Sequence, residues 1–221
     1  MDFNFDPILE SWPFLLSGLW VTLQLACGVA LCAFTFGTLV ALGRRYGPAW
    51  LRVILVFYID SMRAIPVLVV LVWIYFALPI ATGVNLPPFW SALFALSFHL
   101  AAYVAEVVRA GIESVRPGQI RAGLALGMSG AQVVRKIVLP QAFVRMMPAF
   151  GNLLSLAVKD TAISTVIAVP ELMRRADTIA AQTYAPVEVF TTVMIIYFLV
   201  IFPLTRIVDM VYQRISFLGR S

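Results

Sequence analysis

Six ionisable side chains interrupt otherwise apolar stretches of this 221-residue chain: Asp60 and Arg63, Glu106 and Arg109, and the adjacent Lys159 and Asp160. The chemistry open to them is narrow. A guanidinium such as that of Arg63 matches the plane of a carboxylate, and a carboxylate such as Asp60, Glu106 or Asp160 can hold a cation or relay a proton. The patterns that covalent or hydrolytic catalysis needs are missing. There is no G-x-x-x-x-G-K-S/T loop for nucleotide phosphates, no H-E-x-x-H for zinc and no G-x-S-x-G for a nucleophilic serine. His99, the one histidine, lies in an apolar helix without a second ligand nearby and reads as a packed side chain. Cys27 and Cys32 are five apart and diverge on a helix, so they predict neither a disulfide nor a metal pair. The sequence predicts no catalytic residue and no metal site.

Each charged group has a static reading beside the functional one. Arg63 lies about twelve residues into an apolar run, about 18 Å deep at 1.5 Å per residue. A charge at such depth costs at least about 2.5–3.5 kcal/mol. Asp60, three residues before it, could pair with it on one helix face, or Arg63 could face a path and receive a substrate carboxylate. Lys159 and Asp160 point about 100° apart on an unbroken helix, so they serve one partner only if the helix breaks. They form either a buried lock between helices or a gate. Glu106 and Arg109, spaced i, i+3, read first as a structural pair.

The elements that position these groups follow from composition. Hydrophobic residues make up 62% of the chain and charged residues 12%, with a mean hydropathy of +0.94. A soluble domain is about half apolar and a quarter charged, and about a third of its surface would stay wet. This is an integral membrane protein, all-α, with five predicted spans at about 14–43, 51–79, 89–109, 146–170 and 188–212, forming one transmembrane domain over 1–221. Each run is near the roughly 20 residues that cross the hydrocarbon. The first run is too long for a signal-peptide core, and no cleaved signal is expected.

Cations are placed unevenly. The segments on one side of five spans would hold only Arg174 and Arg175, and those on the other side twelve of the sixteen Lys and Arg, Arg44, Arg45, Arg52 and Arg220 among them. The positive-inside rule then puts the N-terminus outside and the C-terminus in the cytoplasm, so the net charge of +5 has a topological use and implies no nucleic acid. Most informative is the polar, basic stretch 113–145, too hydrophilic to cross. It reads as a helix from Gln119 to Leu126, a left-handed stop at Gly127, and a second helix capped by Ser129. On physics alone it is either a solvated loop or a rigid elbow that a partner grips, with Gly123 and Gly127 as small residues for close packing against that partner.

The stretch resembles the cytoplasmic signature of ABC-importer permeases, E-A-A-x-x-x-G-x9-I-x-L-P. Ala122, Gly127, Ile137, Leu139 and Pro140 fall on its spacing, while Arg121 replaces the usual Glu and Gly123 the second Ala. The likeness continues along the chain to the polar amino-acid branch. Leu16-Ser17-Gly18-Leu19-Trp20-Val21-Thr22-Leu23 is similar to its first-span opening; Met62-Arg63-Ala64-Ile65-Pro66 stands where the branch often has F-R-G-T-P or F-R-S-I-P; Ala102-Tyr103-Val104-Ala105-Glu106 through Arg109 to Ile112, then Gly118-Gln119, matches A-Y-x-x-E-x-x-R-x-G-I and G-Q; Lys159-Asp160-Thr161-Ala162-Ile163 resembles K-D-T-S-L, with Ala162 for the usual Ser.

The resemblance implies a type I importer permease subunit of the bacterial cytoplasmic (inner) membrane that moves a polar amino acid by alternating access. Gln119, Arg121, Ala122, Gly123, Gly127, Ile137, Leu139 and Pro140 would couple it to the ATPase. Asp60, Arg63, Glu106, Lys159, Asp160 and Thr161 are the candidates for the substrate path. It further implies an ABC ATPase subunit dimer that carries the ATP and Mg, a second permease (identical or homologous), an extracytoplasmic amino-acid-binding protein and surrounding lipid, with no cofactor on this chain. The alternative is a secondary transporter of a small polar solute driven by an ion gradient; a membrane enzyme is a third class. The variant around Arg63 and Trp73-Ile74-Tyr75 leans toward acidic or amidated substrates and leaves arginine-, histidine- and cystine-type substrates open.

Overall fold

The computed structural model describes residues 5–216; Arg220, counted in the charge reading, lies outside the described residues. The described chain is helical: α1 (Asp6–Glu10), α2 (Trp12–Tyr46), α3 (Ala49–Ala64), α4 (Val67–Thr82), α5 (Pro88–Glu113), α6 (Pro117–Ala125), α7 (Gly130–Ile167), α8 (Leu172–Thr183) and α9 (Pro186–Ile215). Helices α2, α5, α6 and α9 each carry proline in the first turn, where a missing N–H costs nothing. Among the described residues α2, α5, α7 and α9 are long and apolar enough to cross a membrane, and α3 with α4 meets the same test as one bent pair.

That pair corrects the expectation of one continuous second span over 51–79. The chain turns by 109° between α3 and α4. Pro66 disfavours helical geometry in the residue before it, and Ile65 is extended at φ −93°, ψ 132°. A second correction concerns 113–145 and the fourth span at 146–170. Helix α7 already begins at Gly130 and runs on to Ile167, so only the stretch around α6 stands apart as an elbow. The first helix runs three residues past the expected end at 43, to Tyr46, with Arg44 and Arg45 in its last turn and Gly47 N–H bonded back to the Gly43 carbonyl at 2.8 Å.

Two prolines are accommodated by local widening. Residues 73–77 of α4 and 134–138 of α7 form π turns, each closing with an i→i−5 bond just before a proline, Leu78 N–H to Trp73 O and Leu139 N–H to Val134 O. Pro79 and Pro140 follow directly. A proline can neither donate nor tolerate the carbonyl four residues back, and the wider turn relieves that clash.

Helix α5 is the centre. It packs against α2 and α7, with α3 and α4 along it. Leu25, Val29, Ala33 and Val40 of α2, four to seven residues apart, meet Ala95, Leu96, Ala101 and Val104 of α5. Without a hydrophobic drive between helices in lipid, small residues that admit close backbone approach hold such a crossing together. At Gly37 a Cβ would lie 2.5 Å from the Ala101 carbonyl oxygen and 2.7 Å from Val104 Cβ. A smaller cluster of Ile8, Leu15, Leu172, Ile179 and Val193 joins α1, the start of α2, α8 and α9.

Candidate functional site

The elbow is built by local rules. Helix α6 ends in a turn with Gly127 at φ +79°, where Met128 N–H reaches back to Gly123 O at 3.1 Å and Gly127 N–H to Leu124 O at 3.0 Å. Ser129 then caps α7. Its hydroxyl accepts from Gln132 N–H at 3.3 Å, and the Gln132 side-chain oxygen accepts from Ser129 N–H at 2.8 Å, a reciprocal capping box. Gly123 corrects one expectation: it is not offered to a partner but is buried within the chain, its missing Cβ replaced by Ile137 Cδ1, Val133 and Met128. This close fit explains why a glycine stands there. Arg121, Ala122, Leu139 and Pro140 are exposed, Ile137 and Gln119 half-buried. Leu126 is 83% exposed and Leu124 50%. The result is a stiff knob with an apolar tip.

The charged groups within the helices take separate places. Asp60 and Arg63 make no ion pair with each other and both are exposed. Because of the bend, Arg63 stands in the last turn of α3 rather than inside a straight span, where a cation suits the carbonyl end of the helix. Its guanidinium lies 5.9 Å from the Tyr103 ring centroid, and Tyr103 Oη reaches the Arg63 carbonyl at 3.5 Å. The break leaves a carbonyl at Ile65, and His99 Nε2, assigned as the donor because a carbonyl only accepts, takes it at 3.2 Å. His99 thus braces the bend and is buried.

Glu106 joins charges of two helices into one network. Arg44 of α2 donates to it at 3.0 Å, Arg109 donates through Nε at 3.1 Å, and Arg109 also bonds Glu113. The pairing tethers α2 to α5. Lys159 is exposed and Asp160 half-buried at the point where the α-helical part of α7 gives way to a 3₁₀ turn over Thr161–Ile167. Thr161 is buried and its hydroxyl donates to Val158 O at 2.7 Å. At Asp160 the run tightens from α to 3₁₀ geometry without a bend, so the two adjacent charges keep different surroundings. No ion pair joins Asp60 or Arg63 to Lys159 or Asp160 within the described chain. A cleft of about 340 Å³ between α3, α4 and α5, lined by Met62, Val69, Trp73, Phe94 and Phe98, is apolar and unsuited to a zwitterion.

Sequence reasoning missed Glu171. It is fully buried, between the spanning helices, and caps α8 with both oxygens, accepting from Met173 N–H at 2.8 Å and Arg174 N–H at 2.7 Å. Thr22 of α2 accepts the third amide, Leu172 N–H, at 3.1 Å. The helix start is therefore satisfied by an acid and by a hydroxyl 150 residues away, which no local pattern signals. Burial pushes the Glu171 carboxyl up to about 7, against the pull of the two amides. The folded value lies above the ordinary 4.5, so stability from this group is complete below that value and declines as pH rises through about 7. Glu171→Gln should flatten this fall. Glu171→Ala, which leaves the part-buried Met173 and Arg174 amides without their cap, should cost about 1–2 kcal/mol, read as a lowered Tm of the purified protein.

With this geometry in hand, the likeness to known proteins is specific. Residues 33–217 match the family model described as binding-protein-dependent transport system inner membrane component. The chain is 34% identical over 219 residues to the arginine transport system permease protein ArtQ of Bacillus subtilis (strain 168), covering 98% of this chain and 99% of that one. It is 33% identical over 221 residues to the glutamine transport system permease protein GlnP of Escherichia coli (strain K12), covering 99% and 100%. A crystal structure of an amino acid ABC transporter with histidines superposes with a TM-score of 0.91 at 33% identity, over 97% of this chain and 100% of that one.

Proposed function

Because the chain belongs to the inner-membrane components of binding-protein-dependent transport systems, transport subunits of ABC importers whose ATPase sits on separate chains, we propose that this one passes a polar amino acid into the cell by alternating access. Relatives named for arginine and for glutamine stand at 34% and 33% identity, so the substrate class is the polar amino acids, without a choice between those two. The proposal counts the bent α3–α4 pair as one of five spans, with the N-terminus outside and the elbow in the cytoplasm. An ATPase dimer carrying ATP and Mg grips the elbow, an extracytoplasmic binding protein delivers substrate, and a second permease completes the pathway. Arg63, Lys159, Asp160 and Thr161 are assigned to that path, Glu106 to the network that holds it.

One observation carries the mechanism. From Gly130 at the elbow to Asp160 the chain is a single run of helix, about 45 Å at 1.5 Å per residue. A push on the knob is therefore carried along the rod to Lys159 and Asp160, where α gives way to 3₁₀ geometry, since packed helices move between discrete arrangements rather than bending continuously. Nucleotide-driven closure of the ATPase pair would bias one of two bundle states through this rod. A transporter driven by an ion gradient has no use for such a knob. In proteoliposomes with all ion gradients collapsed, the assembled transporter with its binding protein should take up amino acid only when ATP is supplied. Uptake on a gradient alone, without the ATPase subunit, would overturn the reading.

A further inference from the structure

A basic hollow of about 210 Å³ opens where the end of α2, the start of α3 and the end of α5 meet, lined by Ala41, Arg44, Arg45, Arg52, Arg109 and Glu113. We propose that it binds the phosphate of an anionic phospholipid. The hollow lies outside the path and the elbow's tip, and the inference rests on the proposed reading only in taking this side of the bundle to meet the headgroups of the cytoplasmic leaflet.

The arginines fall into two pairs. Arg44 and Arg109 are held in place by Glu106, and Arg109 by Glu113 as well. Arg45 and Arg52 are exposed and make no ion pair among the described residues. Four guanidiniums against two carboxylates leave an excess of two positive charges around one concavity. The first pair is preorganised, and the second supplies planar donors that fit phosphate oxygens two at a time. Basic pockets between helices on the cytoplasmic side suit acidic headgroups.

The surroundings select a lipid rather than a dissolved anion. Next to the hollow Tyr46 and Trp50 are 63% and 65% exposed, amphipathic rings of the kind that sit at headgroup level. Beyond them Val53, Ile54 and Phe57 continue along α3 as an outward apolar strip, Phe57 being 75% exposed. A phosphate held by Arg45 and Arg52 would thus have an apolar surface beside it on which its acyl chains can lie. A free phosphate ion would gain nothing from that strip, and an acidic protein surface would be obstructed by it.

The test uses the assembled transporter in detergent, titrated with phosphatidylglycerol or phosphatidylcholine and read by native mass spectrometry. The wild type should bind phosphatidylglycerol in preference. Each arginine near a membrane surface is worth about fivefold, so Arg45→Gln with Arg52→Gln should weaken phosphatidylglycerol binding about 30-fold and leave phosphatidylcholine binding as it was. Arg45→Lys with Arg52→Lys should restore only part of it, since lysine returns the charge without the planar fork, and Arg214→Gln should change nothing. Equal binding of the two lipids by the wild type would overturn the proposal, as would displacement of phosphatidylglycerol by millimolar inorganic phosphate. Loss of the ATPase subunits from the double glutamine variant with lipid binding unchanged would also overturn it, assigning the arginines to a protein partner. No turnover is needed, so the lipid site and the transport reading can fail separately.

Discussion

Gly37→Val should abolish accumulation of the folded protein in the membrane. The valine Cβ would be placed 2.5 Å from the Ala101 carbonyl oxygen and 2.7 Å from Val104 Cβ, and its two methyls would need further room. The first obstacle is α5 backbone, which cannot rotate aside as a flexible side-chain end can. Overpacking of this kind commonly costs about 1–3 kcal/mol, and a clash against the backbone at the main helix crossing belongs at or above the upper end. Against a total stability of about 5–15 kcal/mol that is a large loss. Gly130→Ala is the matched control: nothing lies within 4 Å of its Cβ position and its φ is ordinary. Membrane levels and the Tm of the purified transporter would report the difference. A Gly37→Val protein with normal level and Tm would mean that α2 and α5 do not approach as closely as described.

Leu126→Glu should leave the bundle intact and disconnect it from its motor. Leu126 is 83% exposed at the tip of the elbow, so in the isolated chain a carboxylate there loses almost no packing. In the proposed complex the same side chain sits in the ATPase groove, and burying a charge in place of an apolar anchor costs about 2 kcal/mol or more. Substrate-stimulated ATP hydrolysis and uptake should each fall at least about tenfold, with membrane level and Tm unchanged. Normal stimulation in this variant would put the ATPase contact elsewhere on the chain.

Much of the elbow could be read from residue order alone. A glycine in a left-handed turn and a serine three residues before a glutamine are short-range devices, and both Gly127 and the Ser129–Gln132 box stand where their types require. What escaped was the direction of Gly123, because whether a small residue meets its own chain or a stranger depends on where Val133 and Ile137 return in space. The same limit applies to Arg63. A straight helix would put it about 18 Å deep, but one extended residue before Pro66 turns the chain by 109°.

Apolar composition, helical period, the spacing of the signature residues and the turn chemistry of the elbow are properties of neighbours in sequence. They are enough to make this an all-helical membrane protein and to single out the polar, basic stretch that carries its elbow. The partner of His99 at the Ile65 carbonyl, the link between Arg44 and Glu106 across 62 residues, the capping of α8 by Glu171 and Thr22, and the basic hollow at the ends of α2, α3 and α5 came only with the packed structure. Each joins groups far apart in the chain. Such pairings are selected by burial and by the need to satisfy polar groups away from water, and those demands exist only once the helices have met.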